Sequence, residues 1–198
     1  MYLLSIRFRS GKPHQEIQAM SAASLPMFRK MPGLLEKYFV ENSETGEVGG
    51  IYLWETVEQV QEYLDGPVVA AMPERFGLTE PLTYEIFEVG NELTCAATSP
   101  NEGRMIGSVC FTSILPAEDL RSMSSASIAA YKDIPGLIRV FRVAQVGTNR
   151  VGGVYVWADE SALESNLSSD GVAQIPAIFK VEGTVDIERL RVNVALSD

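Results

Sequence analysis

The sequence predicts an α+β protein in which one β-α-β-β-α-β unit is built twice, and three observations carry that expectation. The stretch Gly49-Gly50-Ile51-Tyr52-Leu53-Trp54 returns 103 residues later as Gly152-Gly153-Val154-Tyr155-Val156-Trp157. The same offset aligns Pro32-Gly33-Leu34 with Pro135-Gly136-Leu137, Phe8 with Phe111, Met20-Ser21 with Met123-Ser124 and Leu64 with Leu167, without a gap. In both copies the apolar period switches between two and roughly 3.6 in the same succession. The expected boundaries are 1–90 for the first repeat, 91–103 for a linker and 104–198 for the second repeat. Each repeat has the ferredoxin-like order.

The first repeat opens on Tyr2 to Arg9, where Leu4, Ile6 and Phe8 alternate with Leu3, Ser5 and Arg7. That is the pattern of a half-buried strand. Pro13 suits the first turn of a helix, which runs through Ile17, Met20, Leu25 and Phe28 to about Lys30. Pro26 is expected to kink it or end it early. Leu34 to Glu41 and Val48 to Trp54 form an antiparallel hairpin around Thr45-Gly46. The double glycine at its second strand permits a bulge or a close approach by another backbone. Thr56 caps a helix carrying Val57, Val60 and Leu64, Asp65-Gly66-Pro67 ends it, and Val68 to Phe76 suits a further short helix. Leu82 to Val89 is the closing strand.

The second repeat follows the same programme after the polar, Gly- and Pro-containing stretch 91–103. A strand spans Met105 to Ser113, and Pro116 opens a helix to about Lys132. Leu137 to Val146 and Val151 to Trp157 form a hairpin, Asp159 caps a helix, and Val185 to Leu196 closes the sheet.

Composition narrows the function classes. The 198 residues carry a net charge of −10, which argues against a phosphate-backbone partner, so no nucleic acid is expected. Cys95 and Cys110 lack metal-ligand spacing, and with His14 as the lone histidine no metal or haem site is expected. The glycine pairs open strands and lack the G-x-G-x-x-G pattern, so no dinucleotide is expected. No apolar run approaches the ~20 residues that span a bilayer. A cytoplasmic protein with no membrane partner follows.

A four-stranded sheet with both helices on one side leaves its other face bare, and apolar faces of that size are normally covered. Two copies in one chain are therefore expected to pack face to face as an intrachain α+β barrel, a pseudo-dimer. The protein should be a monomer, or a dimer through surfaces other than the sheet faces. The Pro-Gly-Leu strand, the Gly-Gly-Ile-Tyr-Leu-Trp strand with its Glu-rich helix, and Tyr84-Glu85-Ile86-Phe87-Glu88-Val89 resemble the YdhR-type mono-oxygenase family of the dimeric α+β barrel superfamily. The resemblance covers most of 1–90 and, more weakly, 104–192. It implies a cofactor-independent mono-oxygenase-like enzyme that takes O₂ as co-substrate and acts on a small aromatic or polyketide-like molecule. A non-catalytic binder of an apolar or aromatic metabolite, or an isomerase or cyclase, fits the same fold.

Such oxygenation needs an apolar pocket with a few groups that stabilise an enolate or phenolate. The candidates are Arg7, Lys37, Tyr38, Tyr52 and Trp54 in the first repeat and Arg139, Tyr155 and Trp157 in the second. The tyrosines and tryptophans wall a flat ligand or serve as core aromatics; burial preference favours the core. Arg7 and Lys37 neutralise an anionic substrate or snorkel, and Arg139 equally suits a salt bridge to an acid such as Asp186. Arg7, Glu36, Lys37 and Phe39 in the first repeat become Cys110, Arg139, Val140 and Arg142 in the second. One pocket per chain is expected to bind substrate, and the cation pair Arg7 and Lys37 favours the first half.

Overall fold

The computed structural model describes residues 1–95 and 103–196, which form two compact units. The first unit comprises Met1–Phe87 with the segment from Val192, and the second comprises Glu88–Arg191.

In the first unit, β1 (Tyr2–Phe8) and β2 (Leu34–Glu41) flank β3 (Val48–Trp54), both antiparallel to it. Tyr52 stands opposite Leu4 on one side and Lys37 on the other. Leu4, Ile6, Phe8, Phe39, Tyr52 and Trp54 point towards α1 (His14–Phe28) and α2 (Val57–Leu64), where Ile17, Phe28, Val60 and Tyr63 complete a core. Pro26 lies within α1 without ending it, and the helix runs two residues further to Phe28. At α2, Thr56 Oγ1 accepts from the Gln59 amide at 3.3 Å and Gln59 Oε1 accepts from the Thr56 amide at 3.1 Å. This reciprocal capping box fixes where the helix starts. The expected short helix at Val68 to Phe76 is two, α3 (Pro67–Ala70) and α4 (Met72–Phe76).

The second unit repeats this framework with β5 (Met105–Ser113), α5 (Ala117–Ser127) and a 3₁₀ turn at Ile128–Tyr131. There follow β6 (Leu137–Gln145), β7 (Arg150–Trp157), α6 (Glu160–Leu167), α7 (Asp170–Ala173), α8 (Ile175–Ile178) and β8 (Val181–Leu196). Its strands run in the order β8-β5-β7-β6. The repeat extends to register. Tyr155 stands opposite Gly107 and Val140, each 103 residues beyond the partners of Tyr52, and the bulge at Leu34/Glu36 recurs at Leu137/Arg139. Asp159 Oδ1 caps α6 through the Ala162 amide at 2.9 Å.

The double glycines make this register possible. A Cβ on Gly49 would sit 1.9 Å from the Ile6 carbonyl oxygen, and one on Gly152 would sit 2.1 Å from that of Val109. A Cβ on Gly50 would meet the Tyr52 ring at 2.7 Å, and one on Gly153 the Tyr155 hydroxyl at 2.4 Å. The first glycine of each pair admits the neighbouring strand, and the second lets the tyrosine lie back along its own strand. Of the two expectations for these glycines, the close approach holds.

Two strands carry the chain between units. Strand β4 runs over Thr83–Thr94, so Asn91–Thr94, expected in the linker, are strand residues; their side chains alternate in exposure. The expected linker's 96–102 lie outside the described residues. Strand β8 leaves the second unit at Arg191 and returns to the first at Val192.

Candidate functional site

Equivalent positions between sheet and helices differ in how they are filled. In the first unit, Lys37 is 2 % exposed and its Nζ lies 3.2 Å from the Phe28 ring centroid, 3.8 Å from that of Phe39 and 4.3 Å from that of Tyr52. Tyr63 Oη donates to Tyr52 Oη at 3.2 Å. These side chains leave a cavity of about 30 Å³, room for about two waters. Burial, and then the Arg75 guanidinium, hold the Lys37 amine well below the ordinary lysine range. Burial pushes Tyr63 up to about 12 and Tyr52 well above its ordinary value.

In the second unit the corresponding space is open. Val140 replaces Lys37, Tyr131 replaces Phe28, Arg142 replaces Phe39 and Asn166 replaces Tyr63. The cavity here is about 600 Å³, within the ~300–1,000 Å³ of small-molecule sites. Val109, Phe111, Ile134, Val172 and Ile175 give it an apolar wall. The polar feature is a triad: Arg142 Nη1 donates to Tyr131 Oη and to Tyr155 Oη, each at 3.1 Å, and the two hydroxyls lie 3.5 Å apart. Among the described residues Arg142 has no carboxylate partner and no Asp, Glu or His lines the cavity. Burial raises the Tyr155 hydroxyl above its ordinary value, and the Arg142 charge only partly offsets this. Both phenols accept from Arg142; one of their protons serves the contact between the two hydroxyls, and an oxygen on a ligand can take the other or displace that contact. A guanidinium and two phenolic O–H groups converging on an apolar cavity suit an oxyanion.

The structure brings Lys37 and Tyr52 together but separates the other candidates of the first repeat. Arg7 stands opposite Gly49, on the alternate strand face from Tyr52, and its Nη1 donates to the Ile6 carbonyl at 3.0 Å. Tyr38 likewise alternates with Lys37 and donates from Oη to Glu36 at 2.7 Å. Trp54 and Trp157, each 1 % exposed, belong to the core of their units, Trp54 against Tyr63 with centroids 5.3 Å apart. In the second repeat Tyr155 lines the cavity, whereas Arg139 pairs with Glu92 at 2.8 Å rather than with Asp186, which takes Arg150. The roomier cavity thus lies in the half opposite to the one the cation pair favours. Arg142 and Tyr131 are the site residues the sequence reading leaves out of its candidates. The one signal for Arg142 is a cation at the position of Phe39, two residues from Val140 on the Tyr155 face of the hairpin.

The doubled β-α-β-β-α-β unit defines a ferredoxin-like α+β fold. Residues 3–100 match the family described as "Putative mono-oxygenase ydhR". No curated protein matches the chain. Among solved structures it is similar to a putative monooxygenase from Fusobacterium nucleatum, with a TM-score of 0.76 at 10% identity, covering 99% of this chain and 94% of that one. A putative monooxygenase from Lactobacillus acidophilus gives a TM-score of 0.72 at 11% identity, covering 99% and 96%. A protein described as anthrone oxidase-like gives 0.66 at 14% identity, covering 99% and 92%. At these identities the likeness is one of fold. No helix among the described residues is long and apolar enough to cross a membrane.

Proposed function

We propose that the chain is a cofactor-independent mono-oxygenase-like enzyme that oxidises a small aromatic or polyketide-like molecule with O₂ in the cavity of its second unit. The observation that carries this is the Arg142–Tyr131–Tyr155 triad, a cation without a carboxylate partner set in an apolar cavity of about 600 Å³. A phenol or enol bound there loses its proton more readily, because the developing oxyanion meets the guanidinium and two O–H donors. The electron-rich anion is then the group that reduces O₂. No acid or imidazole among the described residues lines the cavity, so the proton passes to solvent.

Anthrone is the first probe, because one structure of similar fold is described as anthrone oxidase-like. The balanced reaction takes anthrone and one O₂ to anthraquinone and one water. Oxygen uptake matched by quinone appearance, reduced about 10²-fold in kcat/KM by Arg142→Gln, is the expected result. Equal rates for both proteins would exclude the triad. The lack of an acid–base residue in the lining also suits a binding protein, for which calorimetry would give tight binding of the anionic ligand without oxygen uptake.

A further inference from the structure

The first unit holds a buried nucleophile that the proposed oxygenation does not use. Lys37 Nζ is enclosed by the rings of Phe28, Phe39 and Tyr52 and adjoins the cavity of about 30 Å³. Among the described residues, Tyr52 on β3, Tyr63 on α2 and Arg75 on α4 are the titratable or charged groups that share this cavity, and no Asp or Glu lines it. Lys37 and Arg75 have no carboxylate partner among the described residues. Two basic side chains therefore meet at one small cavity with no acid to balance them. Burial and Arg75 favour the uncharged amine, the form that acts as a nucleophile.

From this geometry we propose that Lys37 is a carbamylation site, whose amine takes up carbon dioxide reversibly. Carbon dioxide is uncharged and of three heavy atoms, so it suits an apolar cavity too small for an organic ligand. The nitrogen lone pair attacks the carbon, an N–C bond forms, one C–O π pair moves onto oxygen, and a proton leaves the nitrogen for solvent. No oxidant or reductant is needed. The product is an anion in a cavity lined by Arg75, so the modification supplies the acid that the site lacks. An aldehyde would also add to such an amine, but its imine is neutral or cationic and leaves Arg75 without a counter-charge.

The test uses the intact protein equilibrated with ¹³C-bicarbonate. Carbamates are trapped by O-alkylation with a trialkyloxonium salt, and the modified peptides are located by mass spectrometry. The expected result is a trapped carbamate on Lys37 at several-fold higher occupancy than on Lys12, Lys30, Lys132, Lys180 or the Met1 amine. A single ¹³C carbamate resonance should accompany it and vanish in Lys37→Met. Arg75→Gln, which keeps the amine and its cage, should raise the half-saturating carbon dioxide concentration about 5-fold, the loss of one near-surface charge contact. No carbamate at Lys37 in the wild-type protein, equal occupancy at all amines, or an unchanged requirement in Arg75→Gln would each overturn the proposal.

Discussion

Arg142 donates from Nη1 to the Tyr155 hydroxyl at 3.1 Å, at the position where the other repeat places Phe39 3.8 Å from the Lys37 amine. The two repeats thus keep one tyrosine and exchange what surrounds it. A basic group stays beside that tyrosine in both, but it arrives from a different residue of the hairpin. In one unit it fills the space; in the other it borders it.

Ligand binding should follow the triad rather than the rest of the basic residues. Arg142→Gln is expected to weaken an anionic aromatic ligand by about 10- to 100-fold in calorimetry, the scale of one hydrogen bond to a charged group. Arg139→Gln should have the smaller effect, since Arg139 is committed to Glu92. The reverse order would locate the ligand elsewhere.

Closing the cavity should abolish binding without unfolding the protein. Asn166→Tyr restores the bulk of Tyr63 at the corresponding position. We expect loss of ligand binding by at least about tenfold, with an overpacking penalty of about 1–3 kcal/mol in urea denaturation. Undiminished binding would show that the ligand sits outside this cavity.

The repeat, the strand register and the tyrosine positions are legible in the sequence because each rests on local pattern: period-two alternation, glycine pairs and Pro-Gly turns. The open cavity is not, because the exchanges around it are scattered over two helices and one strand of the repeat: Phe28 to Tyr131, Lys37 to Val140, Phe39 to Arg142 and Tyr63 to Asn166. None of these alone changes the period. The difference between about 30 and about 600 Å³ shows only once the elements pack. Asn91–Thr94 escape notice for a related reason. Their strand is polar on one side, and Gly90-Asn91 reads as a break.

The two glycines of a pair should fail differently. Gly152→Ala drives a methyl into the Val109 carbonyl and is expected to lower stability by about 1–3 kcal/mol or more. Gly153→Ala instead meets the Tyr155 hydroxyl, a side-chain end that can move, so the fold should survive while ligand affinity falls. Urea denaturation beside calorimetry separates the two; equal stability losses would contradict the assignment.

Lys37 gives a pH signature. Its folded-state pKa is depressed, so the unfolded chain binds the extra proton from that depressed value up to about 10.4. Stability should rise with pH through this window. Lys37→Met removes the effect, so the wild type should gain stability relative to the mutant as the pH rises towards about 10. Above about pH 10 the raised hydroxyls of Tyr52, Tyr63 and Tyr155 act in the opposite sense, because the unfolded phenols ionise first. A difference that stays constant with pH would mean that Lys37 is charged in the folded protein.

The first unit contains its earliest and its latest residues. Gln18 on α1 donates to Asn193 on β8 at 3.3 Å, a bond that closes a loop of 175 residues. On the ribosome, α1 emerges long before the segment it needs. The amino-terminal half must wait, incompletely covered, until the carboxy-terminal half has been made and β8 has threaded back. Folding of this chain should therefore be slow and cooperative, with high contact order, and a nascent first half is the form that needs protection from aggregation.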